Sequence, residues 1–98
     1  MNMFDKMKQL MEMKKQADRI KRELDATHLE VNHVPGITIR VNGSQRFQEV
    51  TISDDYFQDG RKDKLQMDLL NSINAAITQS QQVAASKMKD VMPGMPGL

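Results

Sequence analysis

The sequence predicts an α+β protein with the order α-β-β-β-α, a three-stranded antiparallel sheet and two long amphipathic helices. Three observations predict it. Apolar residues recur at spacings of three and four near both ends of the chain. Between those ends lie short stretches that alternate apolar with polar residues. Pro35-Gly36 and Asn42-Gly43 separate the stretches. A period near 3.6 marks a helix with one buried face, and a period of 2 marks a half-buried strand.

The first helix is expected over residues 3–26. Met3, Met7, Leu10, Met13, Ala17, Ile20 and Leu24 trace one stripe on the helical cylinder. No Gly or Pro interrupts it, and Lys, Gln, Leu, Met, Glu and Arg all favour helix. Asp18 and Arg22 offer i,i+4 support. His28-Leu29-Glu30-Val31-Asn32 then alternates as a first strand, and Pro35-Gly36 turns the chain. Ile37-Thr38-Ile39-Arg40-Val41 places three β-branched apolar residues on one face. Asn42-Gly43 predicts a type I′ hairpin, whose central positions both need positive φ. Gln45 to Ile52 returns as the third strand. Val50 and Ile52 share a face and Phe47 falls out of step, which predicts a bulge or a register change near Gln48.

Ser53 to Gly60 reads as a polar connector carrying Tyr56 and Phe57. The second helix is expected from about Lys62 to Val91, with Leu65, Leu69, Ile73, Ala76, Ile77, Val83, Ala84, Met88 and Val91 as its apolar stripe. Asp59 is the expected cap, with Asp63 in the first turn, and Lys87 and Lys89 suit the negative end of the helix dipole. Pro93-Gly94-Met95-Pro96-Gly97 ends the helix. Residues 1–92 are expected to form a single domain, and residues 93–98 a flexible Pro/Gly tail.

Composition adds an expectation about assembly. Phe4, Phe47, Tyr56 and Phe57 are the only aromatics, and five of the nine methionines fall in the first thirteen residues. A chain of 98 residues with so few aromatics builds a shallow core alone, and association is a common remedy. A 30-residue helix is about 45 Å long. A compact domain of this size is roughly 30–35 Å across, and a strand offers about 17–20 Å. The helical stripes therefore outrun the sheet. Either the helices pair with each other beyond it, or a second chain covers them, or both. The uncovered sheet edge favours a symmetric partner, so a homodimer is expected.

Several function classes are disfavoured. Without cysteine there is neither a disulfide framework nor a thiolate metal site. No apolar run approaches the roughly 18 residues that cross a membrane, and the charged amphipathic start is unlike a signal peptide. The expectation is a cytoplasmic protein with no membrane association. His28 and His33 are five apart in a strand region and point to opposite faces, so they make a poor metal pair. Asp54-Asp55 sits in a connector where aspartates serve turns and caps. No nucleophile has a base beside it, and no glycine-rich loop cradles a phosphate. No enzyme, cofactor, metal or small-molecule substrate is expected.

Charge is nearly balanced, at +1 overall. Residues 1–33 hold seven basic and six acidic groups, residues 34–60 two and four, and residues 61–98 five and three. On the first helix, Lys8, Lys15, Arg19 and Arg22 form one stripe opposite the apolar one, with Glu12 and Asp18 interleaved. Such a stripe can contact phosphates, and it is also what a solvated helix face looks like. Arg61, Lys62 and Lys64 open the second helix, Lys87 and Lys89 close it, and Arg40 and Arg46 lie on the hairpin. Two-fold symmetry duplicates each group.

Taken in order, these segments resemble the YbaB/EbfC family of bacterial nucleoid-associated proteins. The hairpin Ile37-Thr38-Ile39-Arg40-Val41-Asn42-Gly43 with Val50-Thr51-Ile52-Ser53 is similar to the family's strand pair. Asp68-Leu69-Leu70 and Ile73-Asn74-Ala75-Ala76 resemble its second helix, and Lys87-Met88 and the Pro-Gly-Met-Pro-Gly tail also fit. Val34-Pro35-Gly36 is shorter than the Gly-rich stretch common in the family. The resemblance implies a non-enzymatic, tweezer-like homodimer located at the nucleoid. It also implies binding to double-stranded DNA with low sequence preference. Lys8, Lys15, Arg19, Arg22, Lys62, Lys64 and Lys87 are the expected DNA contacts. The competing expectation is a protein-interaction adaptor that uses the Met-rich helix and has no direct role on DNA.

Overall fold

The computed structural model of the chain describes residues 2–91. The elements are α1 (Met3–Asp25), β1 (His28–Val34), β2 (Ile37–Asn42), β3 (Phe47–Ile52), a 3-10 turn (Asp54–Phe57) and α2 (Lys62–Val91). The expected α-β-β-β-α order holds. The strands form one antiparallel sheet in the order β1-β2-β3, and α2 lies across β1 and β2. The expected Pro/Gly tail and the ending of α2 beyond Val91 lie outside the described residues.

The core is the face of the sheet beneath α2. Val31, Ile37, Ile39 and Val41 are buried there with Tyr56 and Ala76. Each such branched side chain contributes about 1.5–3 kcal/mol when taken from water. The line of α2 that meets the sheet is made of small residues: Ser72, Ala76 and Ser80 are all fully buried. Their spacing of four keeps them on one side of the helix and lets the backbone approach the strands. Leu65, Leu69 and Ile73 flank that line, partly buried against the core.

Opposite Arg40 and Val41 stand Glu49 and Phe47, which leaves Gln48 as an extra residue. This is the expected bulge, and it returns Phe47 to the face shared by Val50 and Ile52. The Asn42-Gly43 hairpin differs from expectation. It is longer than a type I′ turn, and its positive φ falls at Gln45 (63°), not at Asn42 or Gly43. The reason is tertiary. A Cβ on Gly43 would lie 2.9 Å from Leu24 Cδ2 and 3.0 Å from Leu24 O, so this glycine admits the end of α1.

Two local expectations are also corrected. Leu65 N–H donates to Arg61 O at 3.0 Å, so Arg61 holds the N-cap position of α2 and Asp59 stands two residues upstream. Gly60, at φ 81°, turns the chain between them. The i,i+4 ion pair on α1 is Lys21–Asp25 at 3.5 Å, not Asp18–Arg22. Water-exposed pairs gain little from closing, so sequence spacing does not decide which ones form.

The molecule is elongated, at 70 × 22 × 17 Å, with a radius of gyration of 19.1 Å. A compact domain of this length has about 13 Å. The excess comes from α1, on which only Ile20 and Leu24 are buried. Its C-terminal end joins α2 through Glu23–Lys87 (3.8 Å) and an apolar groove of Ala17, Ile20, Leu24 and Met88. The helices thus pair with each other only over that end. The preceding turns are exposed all round, including Met3, Phe4, Met7, Leu10, Met11 and Met13.

Candidate nucleic-acid interface

The projecting helix carries the clearest basic surface. Lys15, Arg19 and Arg22 gather with Gln16 and Asp18 around one shallow depression on its outer face. All three cations are exposed. Ion pairs among the described residues engage Lys21, Arg40, Lys64 and Lys87, and leave Lys15, Arg19 and Arg22 unclaimed. Their charge is therefore available to an external anion. Lys8 lies on the same side further out, beside Asp5, Gln9 and Glu12. From Lys8 to Arg22 the stripe runs about 21 Å along the helix. The acidic neighbours of Lys8 make the Lys15–Arg22 part the more positive.

The remaining expected contacts are placed elsewhere. Lys64 Nζ sits 2.8 Å from Asp68 Oδ2 and 5.9 Å from the centre of the Tyr56 ring. The Tyr56 hydroxyl donates to the same carboxylate oxygen at 2.7 Å. The hydrogen bonds from Lys64 and Tyr56 hold Asp68 below the ordinary carboxylate range. In return, the bond to Asp68 raises both Lys64 and Tyr56. Lys64 is thus part of the joint that seats the connector on α2. Lys62 is exposed, but Asp54, Asp55, Asp59, Asp63 and Asp68 outnumber Arg61, Lys62 and Lys64 in this segment. Lys87 pairs with Glu23. Arg40 pairs across the strands with Glu49 at 3.8 Å. Along α2, Lys64 and Lys87 are about 35 Å apart. One chain therefore does not bring the Lys62–Lys64 end together with the outer face of α1.

Sequence reasoning misses the joint that aims α1. Gly43 N–H lies 3.0 Å from both Leu24 O and Thr27 O. Asn42 Oδ1 accepts from the N–H groups of Ser44 (3.0 Å) and Arg46 (2.9 Å). Asn42 Nδ2 donates to Asp25 O at 3.3 Å. The Ser44 hydroxyl donates to the Asp25 carboxylate, which is the chief reason that Asp25 titrates below its ordinary value. Ser80, buried on α2, donates to Asn42 O at 2.8 Å and accepts from Gln45 N–H at 3.1 Å. One hairpin tip thereby fastens the end of α1, the sheet and α2. The only sequence signal is the Asn-Gly pair, which reads as a turn and not as a socket.

His28 and His33 are both exposed. His28 Nδ1 meets Gln48 Oε1 at 2.9 Å, and His33 lines a polar groove with Asn71, Asn74, Thr78, Gln79 and Gln82. Asp55 N–H donates to Ser53 Oγ at 3.3 Å, so Asp54-Asp55 belongs to a capped 3-10 turn. Among the described residues no group of three or more His, Cys, Asp or Glu is placed to hold a metal ion. Among them also, no helix is long and apolar enough to cross a membrane.

The chain is similar to known proteins along nearly its whole length. A family model described as the YbaB/EbfC DNA-binding family matches residues 1–95. A nucleoid-associated protein of Chloroflexus aurantiacus is 33% identical over 99 residues, covering 100% of this chain and 99% of its own. The corresponding protein of Chloroflexus aggregans gives the same values. One from Ruminiclostridium cellulolyticum is 29% identical over 98 residues, covering 99% of this chain and 85% of its own. Among solved structures, the uncharacterized protein HP0035 from Helicobacter pylori has the same fold. Its TM-score is 0.83 at 16% identity, over 94% of this chain and 98% of that one.

Proposed function

Because the chain belongs to the YbaB/EbfC DNA-binding family, we propose that it binds duplex DNA as a homodimer, mainly through phosphates and with low sequence preference. It would thereby act in nucleoid organisation and gene expression, without catalysing a reaction. The carrying observation is the exposed cluster of Lys15, Arg19 and Arg22 on a projecting helix, left unclaimed by the ion pairs of the fold. Flexible cations on a smooth helix face suit phosphate oxygens, which position a protein without reading bases. Lys8 extends the contact outward and Lys62 adds a peripheral one. Lys64 and Lys87 would first have to leave Asp68 and Glu23, so they contribute least. Residues 1–92 act as a single domain.

The test is fluorescence anisotropy with a labelled duplex over a salt series. The slope of log affinity against log salt should be about −0.9 for each phosphate neutralised. Reversing Lys15, Arg19 and Arg22 to Glu should abolish binding while circular dichroism stays unchanged. A folded triple variant that binds normally refutes the site. A folded wild-type protein that ignores DNA at low salt favours the adaptor reading, with the exposed Met and Phe residues of α1 as its surface.

A further inference from the structure

The apolar line that seats α1 on α2 continues beyond their contact. Ile20 and Leu24 are buried at the junction, and with Ala17 and Met88 they line the groove between the two helices. Counting back from Leu24 by sevens gives Ala17, Leu10 and Met3, and counting back from Ile20 gives Met13 and Lys6. Seven residues are close to two helical turns, so both series stay on the side of α1 that faces α2. Only Lys6 interrupts them with a polar group, and a lysine stem can lie along apolar surface. Yet Met13, Leu10 and Met3 are 52%, 65% and 77% exposed.

α2 is too short to cover them. Its Ser80 bonds the hairpin tip that holds Leu24 and Asp25, and further on Lys87 meets Glu23 while Met88 reaches the groove beside Ala17. The two helices therefore run antiparallel. Val91, the last residue described, lies about 4.5 Å beyond Met88, level with the region of Ala17. From there α2 points along the uncovered stripe. The sequence that follows, residues 92–98, is Met-Pro-Gly-Met-Pro-Gly-Leu. It carries no charged side chain, and Met92, Met95 and Leu98 recur every three residues. Proline holds φ near the polyproline II value and pushes the residue before it into the extended region. A polyproline II helix has three residues per turn, which sets Met92, Met95 and Leu98 on one edge about 9.3 Å apart. On α1, Ala17, Leu10 and Met3 follow one another at about 10.5 Å. The whole segment spans about 22 Å, against about 21 Å from Ala17 to Met3.

We propose that residues 92–98 form an extended strap along α1 of the same chain, with Met92, Met95 and Leu98 set against Met13, Leu10 and Met3. Start, direction, length and spacing of the segment all match the stripe. The tether also favours this occupant over a separate molecule, because a short linkage holds the segment at an effective concentration in the mM range. Methionine suits both sides of the contact, since a flexible thioether packs without a preformed pocket. Lys15, Arg19 and Arg22 lie on the opposite face of α1 and stay open. The strap braces the projecting helix along the face that the basic stripe does not use. The Pro-Gly repeat thus has a second role besides ending α2, and the segment is held in place of the free tail that its composition alone predicts.

The absence of native cysteine makes the test clean. In the full chain, Leu10→Cys combined with Met95→Cys is compared with Glu12→Cys combined with Met95→Cys, in a glutathione redox buffer at low protein concentration. Glu12 stands at nearly the same height on α1 but on the other side of the helix. The first pair should close within one chain at least tenfold faster than the second. Hydrogen exchange gives an independent readout. In the double variant Met95→Asp, Leu98→Asp, the amides of residues 3–13 should exchange at least threefold faster, while those of the sheet stay as in wild type. Equal closure rates for the two cysteine pairs mean a free tail and overturn the proposal. Disulfides that form mainly between chains put a second copy on the stripe and overturn it too. Exchange over residues 3–13 that is the same in wild type and variant does likewise.

Discussion

Replacing Gly43 by Ala isolates the joint that aims α1. The added Cβ would lie 2.9 Å from Leu24 Cδ2, 3.0 Å from Leu24 O and 3.2 Å from Leu24 Cα. The Cδ2 contact can relax by a rotamer change. The two backbone contacts can relax only if the end of α1 moves off the hairpin, which also stretches the Gly43 N–H bonds to Leu24 O and Thr27 O. Overpacking of this kind costs about 1–3 kcal/mol. Gly43 is not at positive φ, so alanine adds no backbone strain and lowers the entropy of the unfolded chain. That gain is about 0.4–1 kcal/mol. The net loss is then roughly 1–2 kcal/mol. In a domain of this size each kcal/mol shifts the melting temperature by about 4–8 °C. Circular dichroism melts should therefore show a fall of about 4–16 °C. DNA affinity should fall as well, because α1 is a lever about 34 Å long and a small tilt at its base moves the basic face by ångströms. A variant that melts within 2 °C of wild type and binds DNA equally refutes the close-approach argument.

Two further tests address the polar groups under α2 and its connector. Ser80→Ala removes a donor to Asn42 O and an acceptor for Gln45 N–H in a fully buried place, and should cost about 1–3 kcal/mol by urea denaturation. Ser72→Ala should be neutral or stabilising, because the buried Ser72 Oγ has no hydrogen-bond partner; equal losses for the two variants would contradict that distinction. The Tyr56–Asp68–Lys64 cluster should leave a signature in the pH dependence of stability. Asp68 is lowered, so its contribution is present above its unfolded pKa and is lost as pH falls through the folded one, below about pH 4. Lys64 and Tyr56 are raised, so theirs is full below their unfolded values and is lost as pH rises, above about pH 10. The melting-temperature gap between wild type and Asp68→Asn should be constant through neutral pH and narrow at both extremes. A gap that does not change with pH would mean that the cluster contributes no net ionisation linkage.

The elements themselves are legible in the amino-acid sequence, because each is a local property of the chain. The run of helix formers from Met3 to Asp25, the alternation of Ile37, Ile39 and Val41, and the long stripe of α2 declare their period within a few residues. So does the bulge at Gln48, since Phe47 can share the inner face only if one residue is skipped. The basic stripe of α1 is legible for the same reason, as helical spacing alone puts Lys15, Arg19 and Arg22 together. What spacing cannot report is what lies opposite. Lys64 matches the outer cations in type, yet Tyr56 and Asp68 engage it because the connector folds back onto α2. Asn42-Gly43 looks like an autonomous turn, yet Leu24 and Ser80, far away along the chain, dictate its conformation. Phe47 and Val50 of β3 stay exposed, at 40% and 46%, because α2 is seated through Ser72, Ala76 and Ser80 over β1 and β2. Periodicity fixes which residues share a face. Which faces are covered depends on contacts between segments distant in sequence, and only the tertiary structure decides those.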